Sequence, residues 1–131
     1  ADGTLTWCTG PQTLANHTIP TLKAAADKAG RDSTRVIAAL PVCVTNDREA
    51  ALQRAAQVFV VYGQLPSYRA MLDKEGAAGP ADIAIIGNAS EVADRIMALA
   101  EIGVTDFAAV EFGATPDEVA ETRALVKSLL K

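Results

Sequence analysis

The 131-residue sequence predicts an α/β fold, specifically the C-terminal portion (about three β/α units) of a (β/α)8 TIM barrel. Three observations point there. Apolar runs of strand character alternate with helical stretches, an order that implies right-handed crossovers and parallel strands. The middle run, Val36-Ile37-Ala38-Ala39-Leu40-Pro41-Val42-Cys43-Val44-Thr45, is apolar almost throughout, as in a strand covered on both faces. Three strands alone leave two bare sheet edges, whereas an open doubly wound fold normally has five or six strands and a barrel has eight in about 250 residues. The missing strands are therefore expected before residue 1, and a first residue other than Met agrees with that.

In chain order, Thr4-Leu5-Thr6-Trp7-Cys8 is rich in β-branched and aromatic residues and predicts the first strand. Gly10-Pro11 opens a helix over residues 12–29 that Pro20 kinks or restarts, and Gly30 stops it. Within the middle run, Pro41 cannot donate to a sheet ladder and predicts a bulge or local kink. Asn46 or Asp47 caps a helix over residues 48–62, with Leu52, Ala55, Ala56, Phe59 and Tyr62 as its packing face. A short helix over residues 68–75 follows, then Gly76-Ala77-Ala78-Gly79-Pro80, the longest flexible-looking segment. Residues 82–87 are ambiguous between a strand and one helical turn. Ser90 is a good N-cap for a helix ending at Ile102 and Gly103, with Val92, Ile96 and Leu99 as its apolar stripe. Residues 104–112 form the third strand, and Thr115-Pro116-Asp117-Glu118 combines a capping box with a proline suited to the first helical turn. The three strands are expected to be parallel neighbours in chain order, with helices on one side.

Half the residues are hydrophobic, 21% are charged and the net charge is −4, so the chain carries enough apolar material for one domain. Interleaved charges with an acidic balance disfavour nucleic acid or an anionic membrane as partner. No apolar run approaches the roughly 20 residues needed to span a bilayer, and no leader pattern is visible at Ala1-Asp2-Gly3-Thr4, so a cytoplasmic location is expected. Cys8 and Cys43 each fall in a strand-like run and read as buried thiols rather than as a bridge.

Motifs of high specificity are absent. There is no Gly-rich dinucleotide fingerprint, no phosphate-binding loop and no nucleophile elbow. His17, the single histidine, has no companions at ligand spacing, so no metal is assigned. Asn88-Ala89-Ser90 matches a glycosylation acceptor, but without a secretion signal it reads as a helix cap. In a barrel, function sits at the C-terminal ends of strands. Three places qualify: Thr6-Trp7-Cys8-Thr9-Gly10, Thr45-Asn46-Asp47 and Glu111-Phe112-Gly113-Ala114-Thr115. At each, packing or capping competes with ligand contact; Glu111 could orient a ligand or pair with a buried arginine. Tyr62-Gly63-Gln64-Leu65-Pro66-Ser67-Tyr68 lies between strands, where barrels grow substrate lids.

These residues resemble a known family. Asp2-Gly3-Thr4-Leu5-Thr6-Trp7 with Gly10-Pro11-Gln12-Thr13-Leu14 is similar to a strand and following helix of the luciferase-like monooxygenases, and Leu40-Pro41-Val42-Cys43-Val44-Thr45-Asn46-Asp47 to the next strand and helix cap. The stretch from Tyr62 to Leu72 resembles the actinobacterial branch that uses coenzyme F420, a deazaflavin, and Gly103-Val104-Thr105-Asp106-Phe107 resembles the family's last strand. The resemblance implies that the strands are the sixth to eighth of the barrel. Thr6, Trp7 and Thr9 then match positions lining one side of a flavin or deazaflavin ring, and Gln64 and Tyr68 match the segment over the cofactor and substrate mouth. No residue matches a catalytic acid or base. The implied activity is F420-dependent hydride transfer with a small organic substrate. FMN-dependent monooxygenation and an inactive barrel fragment are the alternatives. Pairing with the missing N-terminal part, or self-association, is expected.

Overall fold

The computed structural model describes residues 1–32 and 34–130. Its sheet is parallel throughout. Strand β1 (Gly3–Trp7) pairs with β2 (Arg35–Val44), and β2 pairs on its other edge with β4 (Asp106–Glu111), so the three expected strands are neighbours in the expected order. The ambiguous segment resolves into a helical turn, α5 (Pro80–Ile83), followed by a short fourth strand, β3 (Ile85–Gly87), which pairs with Val42–Val44 of β2.

Pro41 makes neither a bulge nor a kink, because the β2–β4 register runs unbroken through Pro41↔Val110. The reason lies in alternation along β2. Ala39 accepts from Cys8 N toward β1, while Val42 accepts from Phe112 N toward β4, so Pro41 turns its missing donor to the β1 edge. On that edge β1 pairing ends at Ala39 and β3 pairing begins at Val42. The proline occupies the gap between the two strands.

The same alternation sorts the core. Val36, Ala38, Leu40, Val42 and Val44 form one buried cluster with Leu14, Leu72, Ile96 and Leu99 from the helices. Cys43 lies in the other cluster, with Ala51, Ala55, Phe59, Ile86 and Phe112. The second face is therefore not left bare: α3 (Arg48–Val58) packs over its C-terminal end, a departure from helices on one side only. Lower on that face Leu5 is 62% exposed and Val110 37% exposed. Ala51 rather than the exposed Ala56 completes the packing face of α3, and Asp47 rather than Asn46 caps it, accepting from Ala50 N at 3.1 Å.

Before β2, α1 (Pro11–Thr13) and α2 (Ile19–Lys28) are joined by a π-helical turn at Leu14–Thr18. The wider turn carries the chain past Pro20, which cannot donate, without ending the helix. After α3, a 3-10 turn (Val60–Gly63) leads to α4 (Pro66–Glu75). Helix α6 (Ala89–Glu101) is capped by Asn88, not Ser90: Asn88 Oδ1 accepts from Glu91 N at 3.1 Å and Glu91 Oε2 accepts from Asn88 N at 2.9 Å. Helix α7 (Pro116–Ser128) closes the described chain, with Thr115 Oγ1 accepting from Glu118 N. The Glu118 carboxylate does not return to complete a capping box; it reaches across to the strand ends instead.

Candidate functional site

The C-terminal end of β1 carries a backbone feature that its sequence does not announce. Cys8 has φ +53°, the one non-glycine residue in the left-handed region among those described, a conformation that costs free energy and persists only where surroundings enforce it. It turns the chain out of the sheet directly after Trp7. The Cys8 thiol is buried, and burial pushes its pKa up to about 12, so it stays protonated and unreactive.

Trp7 stands at the centre of a chain of edge-to-face aromatic contacts. Its ring lies 5.4 Å from Tyr62 and 5.8 Å from Phe59; Tyr62 continues to Tyr68 at 5.1 Å and Phe59 to Phe112 at 5.5 Å. Such pairs are worth about 0.5–1.5 kcal/mol each beyond the area they bury. Trp7 Nε1 is buried without a hydrogen-bond partner, alone in this among the side-chain nitrogens and oxygens of the described residues. An orphaned donor of this kind costs about 1–3 kcal/mol.

The five expected site residues are only partly brought together. Trp7 and Tyr68 join through Tyr62 in one aromatic wall. Thr6 follows the alternation of β1 to the opposite face, pairing with Ala38, and its hydroxyl donates to Ile37 O at 3.4 Å. Thr9 is buried just past the turn, and Gln64 is exposed on the loop before α4.

A helix start offers free N–H groups to an anionic or polar group. At the one after β1 the protein supplies its own anion. Glu75, at the end of α4, accepts from Gln12 N at 3.1 Å, from Thr13 N at 2.7 Å and from Thr13 Oγ1 at 2.8 Å. Gly10 makes room, since a Cβ on it would fall 2.2 Å from Glu75 Cδ. Gly10→Ala should therefore expel the carboxylate rather than move the backbone, and lower stability by about 1–2 kcal/mol. Urea denaturation of the variant beside Glu75→Ala checks this: the two should lose similar amounts, and the double variant little more.

The other strand ends are occupied structurally. Glu118 ties β2, β4 and α3 together, accepting from Thr45 Oγ1 at 2.9 Å, Ala114 N at 2.6 Å and Arg54 at 3.3 Å, while Arg54 also donates to Phe112 O. The Ala114 amide, with Thr45 and Arg54 behind it, holds the Glu118 carboxyl below its usual pKa. A depressed carboxylate pKa adds stability that is present above the unfolded value, about 4.3, and lost as pH falls through the folded one. Glu118→Gln should thus cost stability at neutral pH, about 1–2 kcal/mol because the pair is a quarter exposed, and progressively less in acid. Denaturation midpoints measured across that range check the convergence. Glu111 pairs with Arg123 at 2.5 Å, an arginine that is 56% exposed rather than the buried partner expected.

Two cavities lie away from this wall. One, of about 550 Å³, is lined by Arg48, Asp82, Glu91, Asp94 and Arg95, among others. The second, of about 420 Å³, is an apolar groove between α6 and α7. Among the described residues no three His, Cys, Asp or Glu side chains are placed to hold a metal, and no helix is long and apolar enough to cross a membrane.

A sheet that is parallel throughout, with helices packed on it, places the protein in the α/β class. The model of the luciferase-like monooxygenase family matches residues 1–124, and the chain belongs to that family. Its members use flavin or F420 cofactors, which points to oxidoreductase chemistry. No curated protein matches the chain.

Proposed function

We propose that this chain contributes strands six to eight, with their helices, to a (β/α)8 barrel of a cytoplasmic F420-dependent oxidoreductase. The single observation that carries the cofactor site is the aromatic wall at the end of β1, where the half-buried Trp7 meets Phe59 and Tyr62, and Tyr62 meets Tyr68. Such a wall suits a flat tricyclic ring, as in a flavin or deazaflavin. When bound, such a group supplies hydride or electron transfer to or from a small organic substrate. The protein's own part is to seat the ring against Trp7 and to keep water from it with Phe59, Tyr62 and Tyr68. Because Glu75 already fills the helix start after β1, any phosphate of the cofactor binds elsewhere. The preference for the deazaflavin over FMN rests on the Tyr62 to Leu72 segment. The rest of the barrel would cover the outer edges of β1 and β4, each paired only with β2 among the described strands, and the exposed Leu5 and Val110. A second copy of the chain is the other way to cover them.

Equilibrium dialysis against F420 and against FMN tests the assignment. The deazaflavin should be retained at least about tenfold more tightly. Preferential retention of FMN would move the chain to the flavin monooxygenases, and retention of neither would leave it a scaffold without cofactor.

A further inference from the structure

Helix α4 presents Tyr68, Leu72 and Glu75 at i, i+4 and i+7, which places them on one helical face. All three dock on the chain around the end of β1. Tyr68 meets Tyr62, which meets Trp7; Leu72 is fully buried beside Leu14 in the main core; Glu75 takes its three hydrogen bonds from Gln12 and Thr13. A neighbouring face of α4 bonds locally, through Arg69 to Asp73, Ala77 and Ala78. The aromatic wall thus includes a part borne on a separate helix, and that helix is anchored across the β1 turn by one carboxylate. A sequence separation of 62 residues between Thr13 and Glu75 makes this contact a tertiary clamp rather than a local cap.

We infer that Glu75 is a positioning residue for the strand-end site: it seats α4, and through Tyr68 and Tyr62 it holds the aromatic wall closed against Trp7. Glu75 lies at the far end of α4 from Tyr68 and acts through the helix. Its role as a cofactor-site residue rests on the proposed function, but its effect on Trp7 does not.

Trp7 is the single tryptophan of the sequence, so its emission reports on the wall without any cofactor. Glu75→Ala should shift Trp7 emission to the red and roughly double its quenching by acrylamide at temperatures where the protein remains folded, because local opening precedes global unfolding. Glu75→Gln keeps an acceptor oxygen at the same reach and should fall between the two. Gly10→Ala, which displaces the same carboxylate with Glu75 intact, should reproduce the change and serves in place of Glu75→Ala should that variant not fold. Emission and quenching that stay at parental values in folded Glu75→Ala and Gly10→Ala proteins would overturn the inference. F420 and FMN titrations of the same proteins separate the two ideas. A looser Trp7 with cofactor affinity reduced several-fold supports both. A looser Trp7 in a protein that binds neither cofactor, even in parental form, keeps the clamp and removes the flavin reading. A looser Trp7 with unchanged affinity refutes the positioning role.

Discussion

Trp7→Ala should cost the protein about 3 kcal/mol of stability, toward the lower end of the 3–5 kcal/mol typical for aromatic truncations. The lower end applies because Trp7 is only partly buried, and because deleting the ring also removes an indole N–H that is buried without a partner. The loss is still large, since Trp7 joins the two core clusters and contacts both Phe59 and Tyr62 edge-on. Cofactor affinity should fall separately, by about 1–3 kcal/mol if the ring behaves like other stacked aromatic partners. The two effects are resolved by measuring the unfolding midpoint and the F420 dissociation constant on the same sample, below the midpoint. Trp7→Phe sharpens the contrast: it keeps most of the packing and loses the N–H donor. A variant that melts early yet binds the coenzyme with parental affinity would make Trp7 a packing residue and nothing more.

Leu40→Ala should lower stability by about 2–5 kcal/mol. Leu40 is 1% exposed at the middle of β2, the strand to which every other strand of the sheet pairs. Its side chain belongs to the cluster that holds the helices, so the cavity has packed neighbours from several elements and little freedom to collapse. Thermal and urea unfolding should both report the loss, in a single transition. A change within experimental error would mean that the centre of the sheet is packed far more loosely than its burial indicates.

The parallel order of the sheet was legible because it rests on apolar periodicity, which tertiary contacts reinforce: residues 36–45 read as a strand covered on both faces, and eight of the ten residues of β2 are buried. Pro41 misled because a proline in a central strand implies distortion only when a partner needs its N–H. That depends on where β1 stops and β3 starts, a fact about other parts of the chain. The β3 strand itself is three residues long, too short for period-2 alternation to separate it from a helical turn.

At the site, Trp7 and the Tyr62–Tyr68 segment could be found from sequence because aromatic residues at a strand end and on an inter-strand insertion stand out by type. Thr6 could not be excluded from the wall without the phase of β1, and a shift of one residue reverses the face. Glu75 and Glu118 were missed for a common reason. Each acts on groups far along the chain, 62 and 73 residues away at Thr13 and Thr45, and a lone glutamate near the end or start of a helix carries no mark of its distant partner. Gly10 next to a helix start was the available clue for Glu75, since a glycine there signals close approach as readily as a turn.

The seating of a deazaflavin ring on Trp7 is tested most directly by titrating F420 into the protein while following Trp7 emission, with Trp7→Phe as the blank. A ring held on the indole predicts saturable loss of Trp7 emission that tracks coenzyme binding measured independently, with weaker binding in the Trp7→Phe protein. Coenzyme binding that saturates while Trp7 emission stays at its starting value would contradict it.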